Sequence, residues 1–162
     1  MSDILVKLGN NLKRQTTCYQ KLTELEKAKQ QALVDNMISE IEVITAQEEK
    51  ILLEVSRLEE ERLHWAEFFG QEVGKKAEDI TLDDLEKVYP EMQAVRLDLE
   101  QEISRLKDLH ETNTKLLENA VNLVNFTLQA LTSNRQATYT NPADKRGPKE
   151  QSKTLNIIDK SI

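Results

Sequence analysis

Residues 37–65, MISEIEVITAQEEKILLEVSRLEEERLHW, decide the fold class because their apolar residues recur at alternating steps of four and three. This heptad spacing is typical of a helix that buries a narrow stripe against neighbouring helices. Glu48 and Arg62 fall on the stripe, and we expect them to register the helices or to lie in a splayed, hydrated part of the bundle. The positions on the central line are Met37, Ile41, Ile44, Glu48, Ile51, Val55, Leu58, Arg62 and Trp65.

The composition of the whole chain agrees with an all-α fold. The 162 residues include only four Gly and three Pro, and 4% are aromatic, which argues against a β-sandwich or a β-barrel. The many Leu, Glu, Lys, Gln and Ala residues favour long helices. Burial should therefore run as narrow seams between helices, without a thick globular core.

Charge and cysteine content limit the partners and the compartment. The formal net charge is −7, and an acidic helical body argues against nucleic acid as a partner, because phosphate binding needs a basic surface. The N-terminus has no pattern of a secretory signal. The single cysteine, Cys18, excludes an intrachain disulfide and fits a reducing cytosol. We predict a cytoplasmic protein with no direct membrane insertion.

The apolar pattern predicts helices at about 2–34, 37–69, 82–89 and 91–132. Between the first two, Asp35 and Asn36 cap helices and tolerate turns, which favours a tight antiparallel hairpin over one continuous helix. In residues 80–90, ITLDDLEKVYP, Thr81 and Asp84 occupy capping-box positions, and Ile80 and Leu85 occupy hydrophobic-staple positions.

The predicted architecture is an elongated antiparallel bundle or coiled coil of three long helices plus one short helix. Residues 1–132 form this helical domain. Residues 133–162 are polar and contain Asn-Pro and Gly-Pro breakers, so we predict a flexible, disordered tail. Its only apolar cluster is formed by Leu155, Ile157 and Ile158.

No residue pattern supports catalysis. His64 and His110 are the only histidines, and neither has a second His or Cys at metal-ligand spacing. Cys18 lies on or beside the apolar stripe of the first helix, so we predict that it is a small buried hydrophobic residue and not a nucleophile. Carboxylates such as those of Leu58–Arg62, LEEER, are typical of a solvated helix face. We predict that the protein is not an enzyme and holds no metal or cofactor.

The stretch Asn119–Asn134, NAVNLVNFTLQALTSN, has no charged residue, although 31% of the chain is charged. Advanced at 100° per residue, its apolar side chains cover an arc of roughly 160° before Phe126 is counted. Val121 and Leu128 flank one side of this arc. A seam with two apolar residues per heptad covers a much narrower arc. The wide arc of this stretch therefore either contacts both other helices or binds an amphipathic segment of another protein. A homodimer face is a further alternative.

Several fragments, in their order along the chain, resemble the FlgN-type flagellar export chaperones. These are ALVDNM (32–37), LEEER (58–62), TLDDL (81–85), HETNTKLLENA (110–120), and a polar tail with Tyr139, Gly147 and NIID (156–159). The likeness covers nearly the whole chain. Two positions depart from the family pattern: His110 stands where a second asparagine of an Asn-x-x-Asn pair is expected, and Thr140 follows Tyr139 instead of glycine.

The resemblance implies a cytoplasmic chaperone that binds the disordered C-terminal segments of hook–filament junction proteins of the FlgK and FlgL type. It delivers them to the flagellar type III export apparatus. The cargo groove implied for this sequence comprises Asn113, Leu116, Leu117, Ala120, Leu123, Val124, Phe126, Thr127 and Leu131. Tyr139 is the implied docking residue for the export gate protein FlhA. The alternative function is a self-associating structural coiled coil without export cargo.

Overall fold

The computed structural model describes the backbone of residues 1–139 and the side chains of residues 1–133. No strand occurs in these residues, and the predicted all-α fold of three long helices plus one short helix is confirmed. The elements are α1 (Ser2–Val34), α2 (Ile38–Val73), a 3-10 turn (Ala77–Asp79), α3 (Leu82–Val88) and α4 (Met92–Tyr139).

The chain divides into two units, Met1–Asn122 and Leu123–Ile162. In the first unit α1 and α2 are antiparallel, since Asn11 of α1 donates to the Leu58 carbonyl at 2.9 Å and Lys29 pairs with Glu48. The part of α4 in this unit runs parallel to α1, because Gly9 lies against Met92 and Glu26 lies against Asn113. The three long helices therefore run up, down and up.

The turn between α1 and α2 confirms the predicted hairpin. Asn36 has φ of 55°, a left-handed conformation that asparagine tolerates better than most residues. The Met37 N–H donates to the Ala32 carbonyl at 2.9 Å, which satisfies an acceptor left open at the end of α1. The chain then reverses directly into α2.

The C-terminal end of α2 lies at Val73, beyond the predicted end at 69. Gly74 ends the helix in the left-handed conformation, with φ of 71°, and its N–H donates to the Gly70 carbonyl. Gly70 remains inside the helix, and a Cβ atom there would lie 2.4 Å from the Lys75 carbonyl oxygen. Gly70 is therefore needed for the close return of the chain, and Gly74 for ending the helix.

The short helix α3 begins with the predicted capping box. Thr81 Oγ1 accepts from the Asp84 N–H at 3.2 Å, and the Thr81 N–H donates to Asp84 Oδ2 at 3.0 Å. A hydrogen bond from Lys75, followed by those from Thr81, holds the pKa of Asp84 well below its usual range. The flanking Ile80 and Leu85 both pack in the core, as the staple positions predict.

The apolar core of the first unit lies near the N-terminal ends of α1 and α4. Phe69 is fully buried within it, and Cys18 is buried further along α1, as predicted. The cluster consists of Leu5, Leu8, Leu12, Phe69, Leu85, Met92, Val95 and Leu99. The helices are thus held by a concentrated apolar cluster at one end and by further buried side chains, both apolar and polar, along their length.

Helix α4 continues to Tyr139, past the predicted end at 132. Residues 133–139 contain neither Gly nor Pro, and the first breaker is Pro142, which disfavours helix at the residue before it. The rest of the predicted tail, 140–162, lies outside the described residues, as do Leu155, Ile157 and Ile158. Among the described helices, none is long and apolar enough to cross a membrane.

Candidate partner-binding face

Five large apolar side chains of α4 are exposed in the second unit. Leu123, Val124, Phe126, Leu128 and Leu131 are each between 56% and 69% exposed, and we call these five residues the exposed face. They fall within nine consecutive positions. In the described part of the first unit, five large apolar residues are also more than half exposed, but they are spread from Val34 to Leu97. Concentration, and not exposure alone, distinguishes the face.

Thr127, in the middle of the exposed face, has its hydroxyl group bonded within the helix. This hydroxyl donates to the Leu123 carbonyl at 2.9 Å. Its hydrogen-bonding need is met within the helix, so its methyl group remains for an apolar contact. The hydroxyl of Thr132 donates to the Leu128 carbonyl at 2.8 Å in the same way. A partner of this face need not supply groups for either hydroxyl.

The helix around the exposed face carries no charge from Asn119 to Asn134. Its polar side is made of Asn122, Asn125 and Gln129, which are exposed. Amide side chains both donate and accept, and they lose less hydration energy on burial than charged groups. The face can therefore be covered by another chain without stripping water from an ion.

The four predicted groove residues in the first unit are not equivalent. Leu117 is exposed, and Leu116 and Ala120 are half-buried. Asn113 is only 3% exposed, and its amide donates to the Glu26 carbonyl at 2.7 Å and to Glu26 Oε2 at 2.5 Å. Because this amide is bonded inside the chain, Asn113 joins α4 to α1 in this structure, and its contact with cargo stays a prediction.

Glu26 and Asn113 form a buried polar contact between α1 and α4, with the exposed His110 at its edge, and we call these three residues the clasp. The Glu26 carboxylate lies 3.1 Å from His110 Nδ1, in addition to its bonds from Asn113. Lys29 lies 3.6 Å from Glu26 and 2.5 Å from Glu48 of α2. These contacts join all three long helices through side chains. Glu48 is paired with Lys29, as expected for a charged residue that sets the register of the helices.

The pKa values of Glu26 in the clasp and of the neighbouring Glu48 are both shifted. Burial alone raises the pKa of Glu26, but the hydrogen bonds from Asn113 and His110 and the charge of Lys29 outweigh it, so the pKa lies below its ordinary value. Burial raises the pKa of Glu48, and Lys29 only partly offsets that effect. The ionised form of Glu26 is thus stabilised in the folded chain.

The structure also places the other candidate residues, His64 and Tyr139. His64 is exposed, with its ring against Trp65 and Phe68. Among the described residues, no group of three or more His, Cys, Asp or Glu side chains is arranged to hold a metal ion. Tyr139 is the last residue of α4, and its side chain lies outside the described ones.

The family model described as FlgN protein matches residues 1–147. This chain belongs to the FlgN family. The family consists of flagellar export chaperones and is not a family of enzymes, so the general role of the chain is that of a flagellar export chaperone. No curated protein and no solved structure matches the chain.

Proposed function

We propose that this FlgN-family chain binds the C-terminal segments of hook–filament junction proteins of the FlgK and FlgL type through the exposed face. The observation that carries the proposal is the concentration of five exposed, large apolar side chains within Leu123–Leu131. A chaperone of the flagellar export family must cover an apolar segment of its cargo, and this face offers a matching surface.

The physical basis is mutual covering of apolar surface. A disordered amphipathic segment gains helical structure when its apolar side packs on Leu123, Val124 and Leu131, while the ordering of its backbone opposes binding. This balance limits affinity, which suits a complex that must come apart at the export apparatus. Leu116, Leu117 and Ala120 remain predicted cargo residues on the strength of the family resemblance.

We further propose that the complex is delivered to the export gate protein FlhA in the cytoplasm, with Tyr139 as the docking residue. The family resemblance supports this step, and the position of Tyr139 at the end of α4 is compatible with it.

The test is a pair of charge substitutions on the exposed face. In Val124→Glu/Leu131→Glu, binding of a purified C-terminal fragment of a FlgK-type protein should weaken by about a hundredfold or more, because two carboxylates lose hydration against an apolar partner. Both positions are exposed, so helicity measured by circular dichroism should not change. Binding is measured by isothermal titration calorimetry.

The matched control is Val43→Glu/Leu53→Glu, which introduces the same charges at exposed positions of α2. The control variant should bind the fragment as the unmodified chain does. Equal affinity of both variants and the unmodified chain would refute the assignment of the face. If the unmodified chain does not bind the fragment, and the Val124→Glu/Leu131→Glu variant has a lower apparent mass than the unmodified chain, the face is instead a self-association surface.

A further inference from the structure

The exposed face is wider than one helix can cover. Advanced at 100° per residue from Val124, Leu128 lies at about +40°, Leu123 at about −100° and Phe126 at about −160°. The face thus spans about 200° of the helix surface, with Thr127 and Leu131 between its edges. A helix that packs against one partner buries a stripe of about 100°.

The first unit supplies a reference for this width within the same helix. There, the buried and half-buried apolar residues of α4 run from Leu116 on one side to Val121 on the other, an arc of about 140°. That arc is what α4 buries in a unit where α1, α2 and the short helix α3 pack in the same core. The exposed face is broader still, and all five of its residues are large and apolar.

We infer that the partner covers the exposed face with two helical segments, one over Leu123 and Phe126 and the other over Val124 and Leu128. Leu131 and Thr127 lie between these pairs, where the inner edges of the two segments come closest to each other. The partner is therefore an amphipathic chain that folds back on itself as a helical hairpin. This inference rests on the proposed function and specifies the form that the cargo takes.

The absence of charge fixes the chemistry of the two segments. No Asp, Glu, Lys or Arg occurs from Asn119 to Asn134, so a charged partner residue at the margin would find no opposite charge there. Asn122, Asn125 and Gln129 can instead bond to amide or hydroxyl side chains. The two segments should therefore be apolar towards α4 and flanked by uncharged polar residues.

The test uses site-specific photocrosslinking in the full chain. A photoreactive benzoylphenylalanine replaces Phe126 in one variant and Leu128 in another, and a third variant carries it at Val43, an exposed position of α2. Each variant is irradiated with the C-terminal fragment of the FlgK-type protein, and the crosslinked peptides are located by mass spectrometry. Circular dichroism establishes that each variant is folded.

The expected result is that positions 126 and 128 crosslink to two segments of the fragment separated by about 15 residues or more, and that position 43 crosslinks weakly. Phe126→Ala and Leu128→Ala should each weaken binding by about tenfold. Crosslinks from both positions to one continuous helical stretch would overturn the two-segment inference and leave the proposed function intact.

Other outcomes count against both proposals. No crosslink to the fragment from position 126 or 128 would refute the proposed function together with this inference. Crosslinks to residues 140–162 of the same chain would identify its own C-terminal segment as the occupant. Crosslinks to a second copy would identify a homodimer.

Discussion

The clasp between Glu26 and Asn113 gives a quantitative prediction for the stability of the first unit. The two residues are 87 positions apart in sequence, and both are almost completely buried. In Asn113→Ala, the Glu26 carboxylate loses a charge-assisted hydrogen bond while it remains buried. Such bonds contribute about 1.5–3 kcal/mol, so we expect the free energy of unfolding to fall by about 2–3 kcal/mol at pH 7.

A double-mutant cycle separates this interaction from other effects of substitution. The cycle compares Glu26→Ala, Asn113→Ala and the double variant, and the expected coupling energy is about 1.5–3 kcal/mol. Asn119→Ala is the matched control, since Asn119 is exposed on the same helix. The control also measures the gain in helix propensity from Asn to Ala, about 0.5 kcal/mol, which otherwise masks part of the loss.

The assay is urea denaturation followed by tryptophan fluorescence. Trp65 is the only tryptophan of the chain and packs against the core of the first unit, so its emission reports the unfolding of that unit. A coupling energy below about 0.5 kcal/mol would show that the clasp adds nothing beyond the contacts of each residue with the rest of the chain. An effect of Asn113→Ala equal to that of Asn119→Ala would have the same meaning.

Two further predictions concern the same unit. Phe69→Ala should lower its free energy of unfolding by about 3–5 kcal/mol, because Phe69 is fully buried, whereas Phe68→Ala, at an exposed position, should cost less than about 1 kcal/mol. Similar losses in the two variants by urea denaturation would contradict the assigned core. The second prediction concerns acid: since the pKa of Glu26 is lowered on folding, its contribution is present above the unfolded pKa and is lost as pH falls through the folded value. Asn113→Ala should reduce this loss of stability between neutral pH and about pH 3, and an unchanged pH profile would contradict the role of Asn113.

The helices and their connections could be predicted because each depends on local chemistry. The hairpin follows from Asp35 and Asn36, and the start of α3 follows from Thr81 and Asp84, whose hydrogen bonds join residues three apart. Helix α2 continues to Val73, past the predicted end at about 69, because a glycine such as Gly70 can stay inside a helix where a neighbouring chain segment approaches closely. Helix α4 continues past the predicted end at about 132 because polar residues alone, without Gly or Pro, do not end a helix.

The clasp could not be predicted because it depends on tertiary pairing. Asn113 lies on the line of apolar residues in α4, and a polar residue there fits an exposed groove as well as a buried hydrogen bond. Its partner, Glu26, follows Leu22 by four positions on the stripe of α1, which was the one available signal. Only the parallel alignment of α1 with α4 brings the two residues together.

The distribution of apolar and polar contacts along α4 has a consequence for the proposed role. Polar pairs on a helical seam contribute little net stability, since their lost hydration offsets their attraction, but a shifted register leaves them buried and unpaired. The Glu26–Asn113 contact therefore opposes sliding of α4 against α1 more than it adds to affinity between the helices. The large apolar residues beyond it, such as Phe126 and Leu131, are exposed, so under the proposed function their apolar surface is available to a cargo segment. On the same proposal, the clasp fixes the register of the first unit and the exposed face of α4 presents a concentrated apolar surface to a disordered cargo.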